Sequence, residues 1–121
     1  MRRPAVRLTQ RLLTALALPL AVVAIAPAAA SAYKRGDTLR VKATAYGGQQ
    51  KTYTGATVRH GICAVDPKVI PLGKRFFVPG YGPCLAADIG PAVRGAFIDV
   101  WVSTERRANT WGVRYLTIRF L

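Results

Sequence analysis

Three aspartates interrupt short apolar runs. Asp66 lies in Cys63-Ala64-Val65-Asp66-Pro67, Asp88 in Leu85-Ala86-Ala87-Asp88-Ile89-Gly90, and Asp99 in Phe97-Ile98-Asp99-Val100-Trp101. The chain has only five acidic residues, so most of its carboxylates sit where desolvation penalises the charged form. A carboxylate so placed needs a partner or a proton to move. Cleavage of a glycosidic bond uses such groups. A carboxylic acid protonates the leaving oxygen, and a second group stabilises or captures the sugar cation. Asp88 and Asp99 fall near the ends of two successive predicted strands, and adjacent strands in a barrel would bring them together. Mutual repulsion and an apolar setting would then raise one pKa and let that group hold a proton.

Two other readings compete. Aspartates that open turns bond nearby backbone amides, and Asp66-Pro67 and Asp88-Ile89-Gly90 both have that form. No turn residue follows Asp99. A metal site is disfavoured, because the oxygen spacing of a calcium loop is absent and His60 is the single histidine, too few for zinc. No metal is therefore expected.

The elements that must position these groups are short. Thr38 to Tyr46 alternates, with Leu39, Val41, Ala43 and Ala45 on one face, and predicts a half-buried strand. Gln49 to Gly61 is polar and glycine-punctuated, so it reads as a loop. Further strands are predicted at Ile62–Val65, Arg75–Val78, Cys84–Asp88 and Ala96–Val102, separated by proline and glycine turns. Ser103 can cap a helix from about Thr104 to Trp111, with Glu105 in its first turn and Gly112 ending it. Val113 to Leu121 alternates again, with Leu116, Ile118 and Phe120 inward. Six short strands and one short helix in so small a chain predict a closed or nearly closed barrel.

The ends bound the compartment. Arg2, Arg3, Arg7 and Arg11 precede an apolar stretch from Leu12 to Ala26, and Ala30-Ser31-Ala32 is a small-x-small cleavage site. Residues 1–32 read as an export signal; an uncleaved anchor is the alternative, but the stretch is short for a span of roughly 20 residues. Residues 33–121 then form one small domain with no remaining membrane span. Removing the signal takes four of 18 basic residues and leaves 14 against five acidic ones. Such a surface suits anionic envelope polymers, and export argues against nucleic acid. The chain is expected to be secreted or envelope-associated, in a periplasm or cell wall, and monomeric. In that compartment Cys63 and Cys84 favour a disulfide, worth roughly 3 kcal/mol in the chain-entropy model. A catalytic thiol paired with His60 is the lesser alternative.

The motifs together resemble a known family. Ala64-Val65-Asp66-Pro67-Lys68-Val69-Ile70-Pro71-Leu72-Gly73, Gly80-Tyr81-Gly82, Ala86-Ala87-Asp88-Ile89-Gly90, Arg94-Gly95, Ile98-Asp99-Val100-Trp101 and Trp111-Gly112 are similar, in that order, to the 3D domain, named for its three aspartates. The resemblance spans about Leu39 to Leu121. It implies a mainly β, six-stranded double-psi β-barrel, with kinship to the catalytic domain of MltA-type lytic transglycosylases and to cell-wall-associated stationary-phase proteins. It implies action on peptidoglycan glycan strands at the bond between N-acetylmuramic acid and N-acetylglucosamine, with no cofactor. Asp99 takes the place of the single acid and base, Asp88 stands beside it, and Asp66 completes the set with a more structural part. Substrate contacts are expected at Gly90, Arg94 and Gly95, and sugar-stacking faces at Tyr46 and Trp101, with Tyr53 and Tyr81 as further candidates. The chain departs from the family at Ile89, where a threonine is usual, and at Pro91, where a glycine is usual. It also lacks the second domain with which MltA-type enzymes form a long groove. A non-catalytic wall-binding barrel is the competing function.

Overall fold

The computed structural model describes residues 4–5, 13–22 and 33–121. The arginines and the cleavage motif of the expected export signal lie outside the described residues. Among the described residues, no helix is long and apolar enough to cross a membrane.

The strands are β1 (Thr38–Tyr46), β2 (Ile62–Val65), β3 (Arg75–Val78), β4 (Gly82–Asp88), β5 (Phe97–Trp101) and β6 (Arg114–Phe120), with helix α1 (Glu105–Trp111) between β5 and β6. They close into a barrel in the order β1-β5-β2-β4-β3-β6. β1 pairs with β5, and β2 with β4, in parallel; the other contacts are antiparallel. This is the six-stranded double-psi barrel that the motifs imply, and closure leaves no open edge.

Period-two alternation fills the interior. Val41 and Ala43 of β1, Phe76 and Val78 of β3, Ile98 and Val100 of β5, and Ile118 and Phe120 of β6 are buried. Their sequence neighbours face outward, including Arg75, Phe97, Asp99 and Arg119. Phe76 and Phe120 meet edge to face, 6.0 Å between ring centres, and burying each side chain stabilises the barrel by about 2–3 kcal/mol. Cys63 and Cys84 form the expected disulfide between β2 and β4, with Cα atoms 5.9 Å apart.

The helix seals one end. Thr104, rather than Ser103, is its N-cap: the Thr104 side chain accepts the Arg107 N–H at 3.2 Å, because a cap must sit one residue before the first helical one. Ala108 and Trp111 are the buried helix residues, and the Trp111 indole N–H donates to the Ala43 carbonyl at 3.2 Å. Gly47 permits this docking. A Cβ there would stand 2.9 Å from the Thr104 carbonyl carbon, so any side chain would push the helix off the end of β1.

Candidate functional site

Asp88 and Asp99 reach one surface by an indirect route. Their strands are not neighbours, contrary to the expectation from sequence order, because the chain crosses the barrel and β2 lies between β4 and β5. Ala64 of β2 is the register partner of Asp99 on one side and of Asp88 on the other. Thr44 pairs with Asp99 from β1. Thr44, Asp99, Ala64 and Asp88 therefore form one row across four strands. With strands about 4.8 Å apart, the two aspartate Cα atoms are about 10 Å apart, and Ala64 is the smallest side chain that can stand between them with a Cβ.

A bulge makes this row. Between the pairs Cys63↔Ala86 and Ala64↔Asp88, β2 advances one residue and β4 advances two. Cys84 and Ala86 point into the core. Strict alternation would send Asp88 after them, and the extra residue turns it outward instead.

The two carboxylates have different surroundings. Asp99 is half-buried, and its Oδ1 accepts the Thr44 hydroxyl at 3.0 Å. Burial pushes the Asp99 carboxyl above the usual carboxylate range; the Thr44 hydrogen bond draws it back, and the charge of Asp88 raises it further. Asp88 is held by three donors. Its Oδ1 accepts the Tyr53 N–H at 2.8 Å and the Ile89 N–H at 2.9 Å, and its Oδ2 accepts the Tyr46 hydroxyl at 3.1 Å. Burial and then the Asp88 charge raise the Tyr46 phenol well above its ordinary value, so Tyr46 remains a donor. This row joins a group disposed to hold a proton to a group fixed by hydrogen bonds, the pairing that acid–base chemistry on a leaving oxygen uses.

Asp66 stands apart from that row. Its Oδ1 accepts the Lys68 N–H at 3.0 Å and its Oδ2 the Gly95 N–H at 2.8 Å. The Gly95 bond, then the Lys68 bond, lower its carboxyl below the usual range. Asp66 thus opens a turn, as one sequence reading had it, and also ties that turn to the segment before β5. Gly95 has φ of 74°, a conformation that a side chain disfavours. Between Asp88 and Gly95 the Val93 N–H donates to the Gly90 carbonyl at 3.0 Å. Pro91 takes the second position of this turn, which suits its fixed φ. Arg94 folds back, its Nε–H donating to the Pro91 carbonyl at 3.1 Å. Gly90, Arg94, Lys68 and Asp66 line a cleft of about 310 Å³.

The aromatic candidates divide. Tyr46 is part of the row. Tyr53 exposes 71% of its surface and contributes its backbone N–H. Trp101 is half-buried, its indole N–H donating to the Gly48 carbonyl at 2.8 Å. The Tyr81 hydroxyl is occupied, donating to the Trp101 carbonyl at 2.6 Å and accepting the Gly61 N–H at 2.8 Å. His60 stacks on Tyr81, 4.2 Å between ring centres, and Cys63 is in the disulfide, so no thiol–imidazole pair exists here.

Thr44, Ala64 and the Tyr53 amide are site groups that sequence reasoning did not single out. Thr44 and Tyr46 are on the outward face of the β1 alternation, and that was the available signal. The Tyr53 N–H belongs to the backbone of a loop and left none.

Residues 62–121 match the family described as 3D domain. The chain is 39% identical over 92 residues to the cell wall-binding protein YocH of Bacillus subtilis (strain 168), covering 69% of this chain and 32% of that protein. It is 38% identical over 95 residues to the putative cell wall shaping protein YabE of the same strain, covering 71% of this chain and 23% of that protein. The chain thus spans a third or less of these relatives. Among solved structures, MltA from E. coli aligns with 60% of this chain and 27% of its own, at 18% identity and a TM-score of 0.49.

Proposed function

This chain belongs to the 3D domain family, and from that premise we propose that it binds peptidoglycan in the cell envelope and cleaves its glycan strands. The bond cut is that between N-acetylmuramic acid and N-acetylglucosamine. The observation that carries this reading is the asymmetry of the carboxylate row: Asp99 half-buried with a raised pKa, and Asp88 across Ala64 held by three donors.

Thr44 engages Asp99 Oδ1 and leaves Oδ2 for the exchanging proton. Protonated Asp99 gives that proton to the glycosidic oxygen as the C1–O bond breaks. The sugar carbon gains positive character, and the negative charge of Asp88 stabilises it. The muramyl 6-hydroxyl then closes on C1, and its proton passes to the Asp99 carboxylate. The products are a 1,6-anhydro sugar and a free hydroxyl on the departing sugar, with no water consumed and Asp99 again protonated. Arg94, Gly90 and Gly95 border the strand's path on one side, and Tyr46 and Trp101 offer ring faces on the other.

The relatives, a cell wall-binding protein and a putative cell wall shaping protein, favour a second reading, a wall-binding barrel without turnover. One experiment separates the two. Purified peptidoglycan is incubated with the chain or with its Asp99→Asn variant, and new ends are identified by mass spectrometry. Anhydro-muropeptides from the parent alone are expected. Wall-bound protein with no new ends from either would leave the binding reading.

A further inference from the structure

A second groove opens beside the carboxylate row, with a volume of about 410 Å³. Its lining includes Arg106, Arg107 and Arg114, and the aromatic rings of Tyr81, Trp101 and Trp111. No aspartate or glutamate lines it. Arg106 lies four residues before Thr110, and Arg107 four before Trp111, which places the two pairs along one side of α1. Glu105, the acidic residue of that helix, is turned away. Its Oε1 lies by Gly47, 3.2 Å from where a Cβ would stand. Arg114 is held in place: its guanidinium lies 3.8 Å over the Trp111 ring, and its Nε–H donates to the Trp111 carbonyl at 3.1 Å.

Three guanidinium groups lining one groove with no acid among them give it a positive potential that favours an anion. Guanidinium binds carboxylate in a two-point fashion, and the rings accept apolar surface next to it. Trp101 links the groove to the site already described, since it lines the groove and lies on the same strand as Asp99. Trp101 follows Asp99 by two residues on β5, a distance of about 7 Å along the strand. A strand lying over Asp99 therefore brings its own substituents to the groove.

We propose that this groove holds a carboxylate-bearing stem peptide of the same peptidoglycan strand, with the carboxylate on Arg106, Arg107 and Arg114 and the apolar side chains on Trp101. The inference rests on the peptidoglycan reading above. It makes the domain selective for peptide-bearing over peptide-stripped glycan.

Both tryptophans of the chain line the groove, so intrinsic fluorescence reports on it. Soluble glycan strands are titrated into the Asp99→Asn chain, which keeps them intact, once with stem peptides present and once after amidase has removed them and the lactyl carboxylates it leaves have been capped as methylamides. Peptide-bearing strands should bind at least about tenfold more tightly. Adding Arg106→Gln and Arg107→Gln, both at exposed positions, should bring the ratio close to one while circular dichroism stays unchanged. Arg107→Glu should do the same by repulsion. Equal affinity for the two strands before these changes, or a ratio that survives them, overturns the inference and leaves the glycan reading standing. Stronger fluorescence binding by a phosphate-bearing wall polymer than by peptide-bearing strands overturns it too. Failure of both strands to bind overturns the glycan reading itself.

Discussion

Thr44 and Asp99 are register partners on the parallel β1·β5 pair, and the Thr44 hydroxyl donates to Asp99 Oδ1 at 3.0 Å. This bond favours the ionised carboxylate and so opposes the burial that raises its pKa. Replacing Thr44 with valine removes the opposition and leaves the β-branched shape. The acid form of Asp99 should then persist to higher pH. In a pH–rate profile of muropeptide release, the limb that falls with rising pH is expected to move upward. The ceiling at lower pH should change by less than about tenfold. An unmoved limb would mean that Asp99 is not the acid.

Asp99→Asn should separate activity from stability. Loss of an acid–base group costs typically 10²–10⁴-fold in rate, so anhydro product should fall to background. Stability should move the other way. A group whose folded pKa lies above its unfolded value makes the protein more stable below the unfolded pKa, and that gain disappears as pH rises through the folded value. At pH 7 the Asp99 charge is therefore a burden, and the asparagine variant should melt about 2–5 °C higher. Below pH 4 the gap should close. Calorimetry at the two pH values decides it.

Tyr46 sits two residues beyond Thr44 on the same outward face, and its hydroxyl reaches Asp88 Oδ2 at 3.1 Å. Tyr46→Phe keeps the ring and deletes that donor. A hydrogen bond to a charged group contributes about 1.5–3 kcal/mol, so turnover should fall by about tenfold or more. Wall binding should change little, because the ring face remains. Loss of binding in step with turnover would make the hydroxyl a ligand contact instead.

The strand ends of β1, β2 and β3 were legible, because alternation and glycine or proline punctuation are local signals. The relation of Asp88 to Asp99 was legible only in outcome. Sequence order suggested adjacent strands, whereas the barrel places β2 between them and corrects the facing with a bulge at Ala87. Thr44 was visible as an outward residue, but its partner lies 55 positions away, and no local pattern encodes a parallel crossover. The three donors to Asp88 include two backbone amides, which carry no residue signature.

Asp66 should behave as a tether. Its two oxygens hold the Lys68 and Gly95 amides, and its lowered pKa carries stability that is present above the unfolded carboxylate value and lost as pH falls through the folded one. Asp66→Ala should abolish hydrogen-exchange protection at the Gly95 amide and weaken glycan binding along the 90–95 turn. Protection of Phe76 and Val78 in the core should hold. The Asp66→Ala chain is also expected to lose less stability than the parent as pH falls below about 4. A Gly95 amide as protected as before would assign the turn's order to Pro91 instead.

Cys63 and Cys84 join β2 to β4 on the core side, while Ala64 and Asp88 of the same two strands face outward. The closed loop has a separation of 21 residues, for which the chain-entropy model gives about 3 kcal/mol. The Cys63→Ala, Cys84→Ala double variant should lose about 2–4 kcal/mol in urea unfolding, with an unchanged dependence on denaturant. The register Ala64↔Asp88 is a backbone pairing outside the sulfur bridge. Molecules that remain folded should therefore release muropeptides within about twofold of the parent at 25 °C. A larger fall in activity, with the protein folded by circular dichroism, would show that the bridge holds the bulge that turns Asp88 to the surface.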